Sequence, residues 1–192
     1  MIIYSDMHWF GAHSSINEPL IFGEDIFYIG DNVDLKNCPT QHLNEAKKLM
    51  HYIQKNAGTN YVPGNHELSY GDQTFIKYHR VLLTHGDIFF WPHKKIVRWR
   101  GGELSAGISP LMWYVFRLKN YVKDLWSIPI NTKHFKKIYQ TAIAPAYQCH
   151  TVIIGHEHPH RIVKIPYSIN DGPEINIYVL PRGKHVLNIK VS

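Results

Sequence analysis

Five short polar clusters contain the kinds of side chain that bind metal ions and move protons. In chain order they are Asp6-Met7-His8, Gly30-Asp31, Gly64-Asn65-His66-Glu67, His85-Gly86-Asp87 and Gly155-His156-Glu157-His158. Each cluster directly follows a stretch whose sequence predicts a β-strand, and in four cases that stretch is apolar. Because the carboxyl ends of strands in α/β folds meet at one edge of the sheet, we expect the clusters to converge on one site.

The kinds of side chain in the clusters indicate which metal ions this site would bind, and how many. Carboxylates and imidazoles together suit a borderline divalent ion such as Mn, Fe, Zn or Ni. The aspartates, the asparagine and the histidines are more ligands than one ion can take, whereas two ions sharing a bridging carboxylate would use them all. The sequence therefore predicts a centre with two divalent ions, and Mn is our first choice.

The order of the five clusters resembles the motifs of the calcineurin-like metallophosphoesterases. The resemblance runs from residue 6 to residue 158. It implies two metal sites that share Asp31, one held by Asp6, His8 and His158 and the other by Asn65, His85 and His156. It also implies that His66 lies beside the metals without binding them. Two cations in such a centre neutralise the charge of a phosphoester and activate the attacking water.

Two residues of these motifs bear on proton transfer. His66 can protonate the leaving alkoxide as a general acid, and a carboxylate such as Asp34 would fix its tautomer and keep it protonated. Asp34 matches the second aspartate of the family's Gly-Asp-x-x-Asp motif, which orients the catalytic histidine in phosphoprotein phosphatases. The phosphate-binding arginine that follows in those enzymes is absent, and this chain has Leu35 and Lys36. The difference argues against protein-phosphatase activity.

Within the family, two segments resemble the bacterial UDP-diacylglucosamine pyrophosphohydrolases of lipid A synthesis. They are Leu83-Thr84-His85-Gly86-Asp87, followed by a helical insertion, and Gly30-Asp31-Asn32-Val33-Asp34-Leu35. In those enzymes the insertion caps the site and holds acyl chains, so the resemblance implies an amphipathic substrate. The same enzymes have arginine where this chain has His66.

Apolar patterns predict the elements that position the clusters. Strands or β-rich stretches are predicted at 2–4, 26–29, 80–84, 151–154, 161–165, 174–180 and 185–191, and a helix at about 40–56. With the resemblance, they imply a single α/β domain over residues 1–192, built as a four-layer α/β/β/α metallophosphoesterase sandwich with two mixed sheets.

A helical insertion is predicted at about 88–148. Its first helix begins at Ser109-Pro110 and carries an apolar stripe of Leu111, Val115, Leu118, Val122 and Leu125. Its second helix runs from about Thr132 to Pro145, with an inward face of Phe135, Ile138, Tyr139, Ala142 and Ile143. The insertion is expected either to cap the site or simply to cover the sheet.

Composition limits the class of protein. A chain of 192 residues with 44% hydrophobic and 19% charged residues is typical of one globular domain and excludes a disordered chain. Two cysteines, Cys38 and Cys149, exclude a disulfide framework. The sequence has no signal-peptide pattern and no apolar run of about 18 residues. We therefore expect a cytoplasmic protein without a transmembrane segment.

The net charge of +6 is unevenly distributed. Segment 91–137 has ten basic residues and only two acidic ones, and it contains four of the five tryptophans, Trp91, Trp99, Trp113 and Trp126. A basic and aromatic segment indicates an anionic partner with a flat or apolar part. Peripheral contact with an anionic membrane is a further expectation for this segment.

Three functions are compatible with these patterns. The first is a dinuclear-metal-dependent hydrolase of phosphoester or phosphoanhydride bonds, acting on a phosphorylated small molecule that is nucleotide-linked or amphipathic. The second is a nuclease or cyclic-nucleotide phosphodiesterase, since basic residues with aromatics also fit nucleic acid. The third is a scaffold that keeps the fold without activity. Inactive relatives lose ligands or the catalytic histidine, and this chain has all of them.

Overall fold

The structure is a computed structural model that describes residues 1–11, 18–67, 73–100, 107–124, 130 and 132–189, except the side chains of 93, 97, 99, 100 and 120–124. Within these residues the chain forms nine β-strands and five α-helices. The strands are β1 (Ile2–Ser5), β2 (Ile26–Ile29), β3 (Tyr61–Val62), β4 (Ile76–Tyr78), β5 (Val81–Thr84), β6 (Thr151–Ile154), β7 (Val163–Tyr167), β8 (Ile175–Val179) and β9 (Gly183–Val186). The helices are α1 (Leu43–Ala57), α2 (Asp87–Phe90), α3 (His93–Arg100), α4 (Pro110–Asp124) and α5 (Phe135–Ile143).

The strands form two mixed sheets. The first has the order β3-β2-β1-β9, in which β1, β2 and β3 are parallel and β9 runs antiparallel to β1. The second has the order β4-β5-β6-β8-β7, with parallel β5, β6 and β8 in the centre and an antiparallel strand at each edge. Because parallel neighbours end on the same side, the loops after β1, β2 and β3 share one edge, and so do those after β5 and β6. The mixed α/β class is confirmed.

A hydrophobic cluster joins the two sheets. It combines Ile3, Phe27 and Ile29 of the first sheet with Leu83 and Ile153 of the second, each at most 1% exposed. Ile3 lies opposite Phe27 in the ladder, and Leu83 lies opposite Ile153. These strands are covered on both faces, which is why they read as continuous apolar runs rather than as alternating patterns.

Helix α1 packs on the first sheet through residues at helical spacing. Ala46, Met50 and Ile53 are buried in a cluster that also contains Tyr4 and Tyr28. The two tyrosine rings stack with their centroids 4.6 Å apart. Tyr4 and Tyr28 are opposite one another on parallel β1 and β2, so their rings together form part of the surface on which α1 packs.

Helix α5 packs on the second sheet. Four of its predicted inward residues, Phe135, Ile138, Tyr139 and Ala142, are buried in one cluster with residues of β5, β6 and β8. The fifth prediction is wrong, because Ile143 is 36% exposed. Ile143 is the last residue of the helix, where the chain turns away from the sheet.

Helix α4 is present where the sequence predicts it, but its apolar stripe faces solvent. Leu111 is 74% exposed, Val115 is 51% exposed and Leu118 is 67% exposed. Trp113 and Phe116 are half-buried. None of the described helices, α4 included, is long and apolar enough to cross a membrane.

Several predictions for the insertion concern residues beyond this description. Leu125 and Trp126 lie outside the described residues, as do the side chains of Trp99 and Val122. The described part nevertheless contains α3, which the apolar pattern does not predict.

The remaining differences from the sequence prediction lie at sheet edges. Strand β4 has three residues and no apolar run that would indicate it. Strand β9 begins at Gly183 rather than His185, because Gly183 pairs with Ser5 of β1. Strand β7 continues through Pro166 to Tyr167. Proline is tolerated there because β7 is an edge strand.

The packing of α5 predicts unequal effects of two isoleucine substitutions. Ile138 is 0% exposed, so Ile138→Ala should lower the free energy of unfolding by about 2–5 kcal/mol through lost burial and a cavity. Ile143→Ala removes the same atoms at the exposed helix end and should change it by only about 0.5 kcal/mol. Urea unfolding of both variants measures the difference. Equal losses would contradict the orientation of α5.

Candidate metal centre

The loops after five strands bring the predicted ligands to one place. Asp6 directly follows β1, Asp31 comes after β2, and Asn65 comes after β3. On the second sheet, His85 follows β5 and His156 comes after β6. Asp6, Asp31, Asn65 and His85 are all at most 4% exposed. Five segments that are remote in sequence therefore meet in a largely buried polar site.

Three groups of side chains in this site could each hold a metal ion, because their ligand atoms lie within 4.8 Å of one another. They are Asp6 with His8 and His158, Asp31 with His85 and His156, and His8 with Asp31 and His66. The first group is the full ligand set of one implied half, whereas the second contains His85 and His156 of the other half with the implied bridge Asp31 but without Asn65. The Oδ1 atom of Asn65 is buried and has no hydrogen-bond partner among the described residues, so the donor set fits a divalent cation.

The predicted acid, His66, belongs to the third of these groups, although the resemblance implies that it does not bind a metal. The backbone N–H of His66 donates to Oδ1 of Asp31 over 2.6 Å. The His66 ring meets the His8 ring edge-on, with 5.0 Å between their centroids. His66 is therefore held next to the shared carboxylate and to one predicted ligand.

The backbone adopts an unusual conformation at five of the predicted ligands. Asp6, His8, Asp31, His156 and His158 have φ angles between 45° and 67°, in the left-handed region. This conformation costs a residue with a β-carbon about 1–2 kcal/mol. Hydrogen bonds between the loops offset this cost, since the N–H groups of Asp6 and His8 donate to the carbonyls of Gly30 and Asp31. The tertiary structure thus forces these side chains toward one another.

Two glycines of the clusters allow ligands to approach closely. A β-carbon on Gly64 would overlap the carboxylate of Asp31, and one on Gly30 would overlap the ring of His85. Gly30 also has a φ of 76°, which glycine adopts readily. The glycines in Gly-Asp and Gly-Asn-His-Glu therefore have a steric role, because they allow Asp31 and His85 to pack closely against the neighbouring loops.

The two central carboxylates are ionised. Burial alone would raise the pKa of Asp6, but His158 and His85 outweigh it and hold the pKa well below its usual range. Oδ1 of Asp6 lies 2.7 Å from Nε2 of His158 and 3.3 Å from Nε2 of His85. Burial likewise opposes the ionisation of Asp31, and His85 and His66 lower its pKa. Ionised carboxylates are the form that binds cations.

His156 is neutral at physiological pH. Burial, followed by the charge of His85, lowers the pKa of His156 to about 4. A neutral imidazole keeps a lone pair for a metal ion. The ring of His156 lies edge-on to that of His85, with 4.9 Å between centroids. Burial opposes the change at His85, but Asp31 and Asp6 raise its pKa, so the pKa values of the two histidines shift in opposite directions.

Asp34 connects a predicted ligand to the predicted acid. Its Oδ2 lies 3.2 Å from Nδ1 of His8, and its Oδ1 lies 2.8 Å from Nδ1 of His66. Burial would raise the pKa of Asp34, but His66 and His8 hold it well below its usual range. In turn, Asp34 and Asp31 overcome the effect of burial and raise the pKa of His66. This geometry is compatible with the role that the resemblance implies for Asp34.

Sequence reasoning did not identify Asn37 as a site residue. Its backbone N–H donates to Oδ1 of Asp34 over 2.8 Å, and its side-chain amide donates to Oδ2 over 3.1 Å. Both oxygens of the buried carboxylate are therefore bound by Asn37 as well as by histidines. The spacing of three residues after Asp34 is typical of a capping aspartate and could have indicated this contact.

Glu67 also belongs to the site, although no role was predicted for it. Its Oε1 accepts the backbone N–H groups of Asn32 and Val33, at 2.8 and 3.0 Å. Its Oε2 accepts that of Gly64 at 3.0 Å. Burial, followed by the charge of Asp31, raises the pKa of Glu67 to about 7. Glu67 thus ties the loop after β2 to the loop after β3.

Two cations lie near the predicted ligands. Nε of Arg182 donates to Nδ1 of His158 over 3.2 Å. Lys36 is half-buried, and burial lowers its pKa although Asp31 and Asp34 act in the opposite direction. Arg182 precedes β9 and has no counterpart in the clusters, so sequence spacing gave no sign of its proximity. Both side chains thus place positive charge beside the candidate metal centre.

Comparison with known families and proteins identified no relative of this chain. The chain matches no protein-family model, and none of the curated proteins searched matches it.

The charge of Asp34 predicts a pH-dependent stability. Its pKa in the folded protein lies below the value of about 3.9 in the unfolded chain. Its stabilising effect is therefore complete above that value and is lost as pH falls through the folded pKa. In metal-free protein, Asp34→Asn should lower the free energy of unfolding by about 3–5 kcal/mol near neutral pH, because two buried histidines lose their partner.

The loss should shrink below about pH 4, where the unfolded chain protonates Asp34. Urea unfolding with a chelator at several pH values measures it. Asp171→Asn, at an exposed position, is the matched control and should have no effect at any pH. A pH-independent loss in Asp34→Asn would show that shape rather than charge matters at this position.

Proposed function

We propose that the protein is a dinuclear-metal-dependent hydrolase of phosphoester or phosphoanhydride bonds. The observation that carries this proposal is the pair of ligand groups on either side of Asp31, next to the hydrogen-bonded pair of His66 and Asp34. A purely structural polar cluster would need neither open ligand atoms nor an acid of raised pKa at its rim. Both features belong to the chemistry of phosphate esters.

The proposed ligands divide into two sets that share Asp31. One set is Asp6, His8 and His158, and the other is Asn65, His85 and His156. Two divalent ions, with Mn as first choice and Fe, Zn or Ni as alternatives, would supply charge neutralisation at the phosphate and activation of water. The mixed oxygen and nitrogen donors support this choice of ions.

His66 is the proposed general acid. Its Nδ1 faces the ionised Asp34, so the N–H at Nδ1 is held there and Nε2 is the atom that exchanges a proton with the leaving group. The raised pKa of His66 keeps the ring protonated at a pH where an ordinary histidine has begun to lose its proton. Asp34 is a positioning residue in this scheme, since it acts through His66.

We further propose that the fold is a four-layer α/β/β/α metallophosphoesterase sandwich, which the packing of the helices and sheets supports. One cluster joins α1 to the first sheet, a second joins the two sheets, and a third joins the second sheet to α5. This succession is what an α/β/β/α sandwich requires. In such a fold, the loops that carry the proposed ligands meet where the ends of the two sheets adjoin.

A nuclease or cyclic-nucleotide phosphodiesterase is the second candidate. The observation that favours it is α3, where Lys94, Lys95 and Arg98 are exposed. Nζ of Lys95 lies 3.7 Å from the ring centroid of Trp91. If this is the function, Mn-loaded protein should cut single-stranded DNA or cyclic nucleotides, and DNA cleavage should slow steeply as salt rises. An inactive scaffold is less well supported, because every proposed ligand and His66 are present.

The proposal predicts how His66→Ala affects catalysis. The variant should keep its metal content but lose about 100-fold to 10,000-fold in kcat on alkyl phosphoesters, whose leaving group needs a proton. The loss should be much smaller on nitrophenyl esters, because nitrophenolate leaves without protonation. Steady-state kinetics on both esters measures the contrast. Equal losses would show that His66 is not the acid.

Asp31→Asn is the matched control for this experiment. It removes the shared charge, so bound metal and activity should fall together, whereas wild-type protein should bind two ions per chain. Metal analysis after gel filtration gives both numbers. A wild type that holds at most one ion under saturating Mn, with full activity, would overturn the dinuclear assignment.

We also propose that the exposed face of α4 rests on an anionic membrane surface. Leu111, Val115 and Leu118 lie on one side of the helix, and each is more than half exposed. Arg117 and Lys119 are exposed on the same helix, and they fit anionic lipid headgroups rather than a neutral partner. Such a stripe flanked by basic residues is typical of helices that lie in the membrane interface.

Vesicle binding tests this surface. The protein should cosediment with vesicles of equal parts phosphatidylcholine and phosphatidylglycerol, and far less with phosphatidylcholine alone. Leu118→Ser should weaken this binding about tenfold, because one inserted leucine contributes roughly 1.5–3 kcal/mol. Tyr52→Ser, at a 53% exposed position on α1, should leave it unchanged. Binding to neither vesicle, or dimerisation that Leu118→Ser abolishes, would overturn the membrane assignment.

A further inference from the structure

A cavity of about 450 Å³ lies beside the candidate metal centre. It is bounded by the loop after β1, the turn before α1 and the start of α4. Its walls are formed mainly by the rings of Trp9, Phe10, Pro39, Pro110, Trp113 and Tyr114. The volume is within the range of small-ligand sites in proteins.

The cavity shares a wall with the proposed catalytic residues. Trp9 follows the predicted ligand His8, and the carbonyl of Trp9 accepts the backbone N–H of Asp34 at 3.0 Å. Gly11 lines the cavity and packs so closely on Asp34 that a β-carbon there would overlap its carboxylate. A group attached to a phosphate at the centre could therefore reach this cavity directly.

The walls are suited to a flat ring rather than to an aliphatic chain. Among the described residues that line the cavity there is no leucine, isoleucine, valine or methionine. Aromatic side chains stack on the faces of nucleobases, whichever base is present. The side chains of Gln41 and His42 add polar groups at the margin. An acyl chain could not form hydrogen bonds with Gln41 or His42.

Trp113 offers its ring rather than its polar atom to the cavity. Its indole Nε1 is buried and has no hydrogen-bond partner among the described residues. A molecule in the cavity therefore meets the ring of Trp113 and not its N–H. Recognition by Trp113 would thus depend on stacking.

We propose that this cavity binds the nucleobase of a nucleotide substrate, stacked on its aromatic walls. The inference rests on the proposed hydrolase function, since the phosphate of the same substrate would lie at the candidate metal centre. It specifies the substrate class, a nucleoside phosphate ester or anhydride, and it assigns recognition to residues outside the five clusters.

Binding of nucleosides tests the cavity without the metal centre. Chelator-treated protein should bind uridine or adenosine in equilibrium dialysis, because neither has a phosphate. Trp113→Phe keeps an aromatic face and should weaken binding only slightly. Trp113→Ala should weaken it more than tenfold. Tyr52→Ser, at an exposed position on α1, does not line the cavity and should bind normally.

Kinetics with Mn-loaded protein separates the occupants. Nitrophenyl esters of thymidine 5′-phosphate, octyl phosphate and methyl phosphate have the same leaving group and differ only in the other substituent. We expect the lowest KM for the thymidine ester, and Trp113→Ala should raise that KM without changing the KM for the methyl ester. A lower KM for the octyl ester, or no nucleoside binding in dialysis, would overturn the proposal. Nucleoside binding without hydrolysis of any ester would support the cavity and refute the proposed hydrolase.

Discussion

The burial of three ionised aspartates is the interaction on which the rest of this structure depends. Asp6, Asp31 and Asp34 are each at most 2% exposed, yet histidines hold their pKa values below the usual range. Removing a carboxylate from water costs several kcal/mol even after the protein relaxes. Such charges persist only where cations or donors surround them, so the imidazoles and backbone N–H groups are obligatory neighbours. A divalent cation would balance the same charge more fully.

This constraint explains the strained loops and their rigid supports. Left-handed backbone at Asp6 and Asp31 directs both carboxylates inward, and a mobile loop would relax such a conformation. Parallel pairing of β1 with β2 fixes the two loops relative to each other, and the hydrophobic cluster between the sheets fixes both to β5 and β6. Glu67 adds a polar tie between neighbouring loops, with three backbone N–H groups on one carboxylate. The favourable free energy of hydrophobic packing thus offsets the cost of burying charged side chains in this site.

Much of the fold could be predicted from sequence, because strands buried on both faces leave apolar runs and the polar clusters mark their ends. Within each sheet the convergence of the clusters follows from parallel topology, whereas the meeting of the two sheets' loops depends on the hydrophobic cluster between the sheets. Contacts of Asn37, Glu67 and Arg182 could not be predicted in this way, since each depends on which backbone or ring the fold brings within reach. The exposure of the apolar stripe on α4 could not be predicted for another reason. Periodicity indicates that Leu111 and Leu118 share a side of the helix, but it contains no information on whether that side meets the protein or the solvent.

Asp34 links chemistry to recognition in this site. One oxygen lies by His66, the other lies by His8, and the carboxylate also packs against Gly11 in the wall of the aromatic cavity. A group that fills the cavity would contact Gly11, which packs against the carboxylate that faces His66. Because close-packed interiors transmit small displacements rather than absorb them, occupancy of the proposed binding cavity would be coupled to the orientation of His66. In the proposed enzyme, a substrate with a well-fitting ring would thus be positioned for protonation as well as bound, and selectivity would show in kcat as much as in KM.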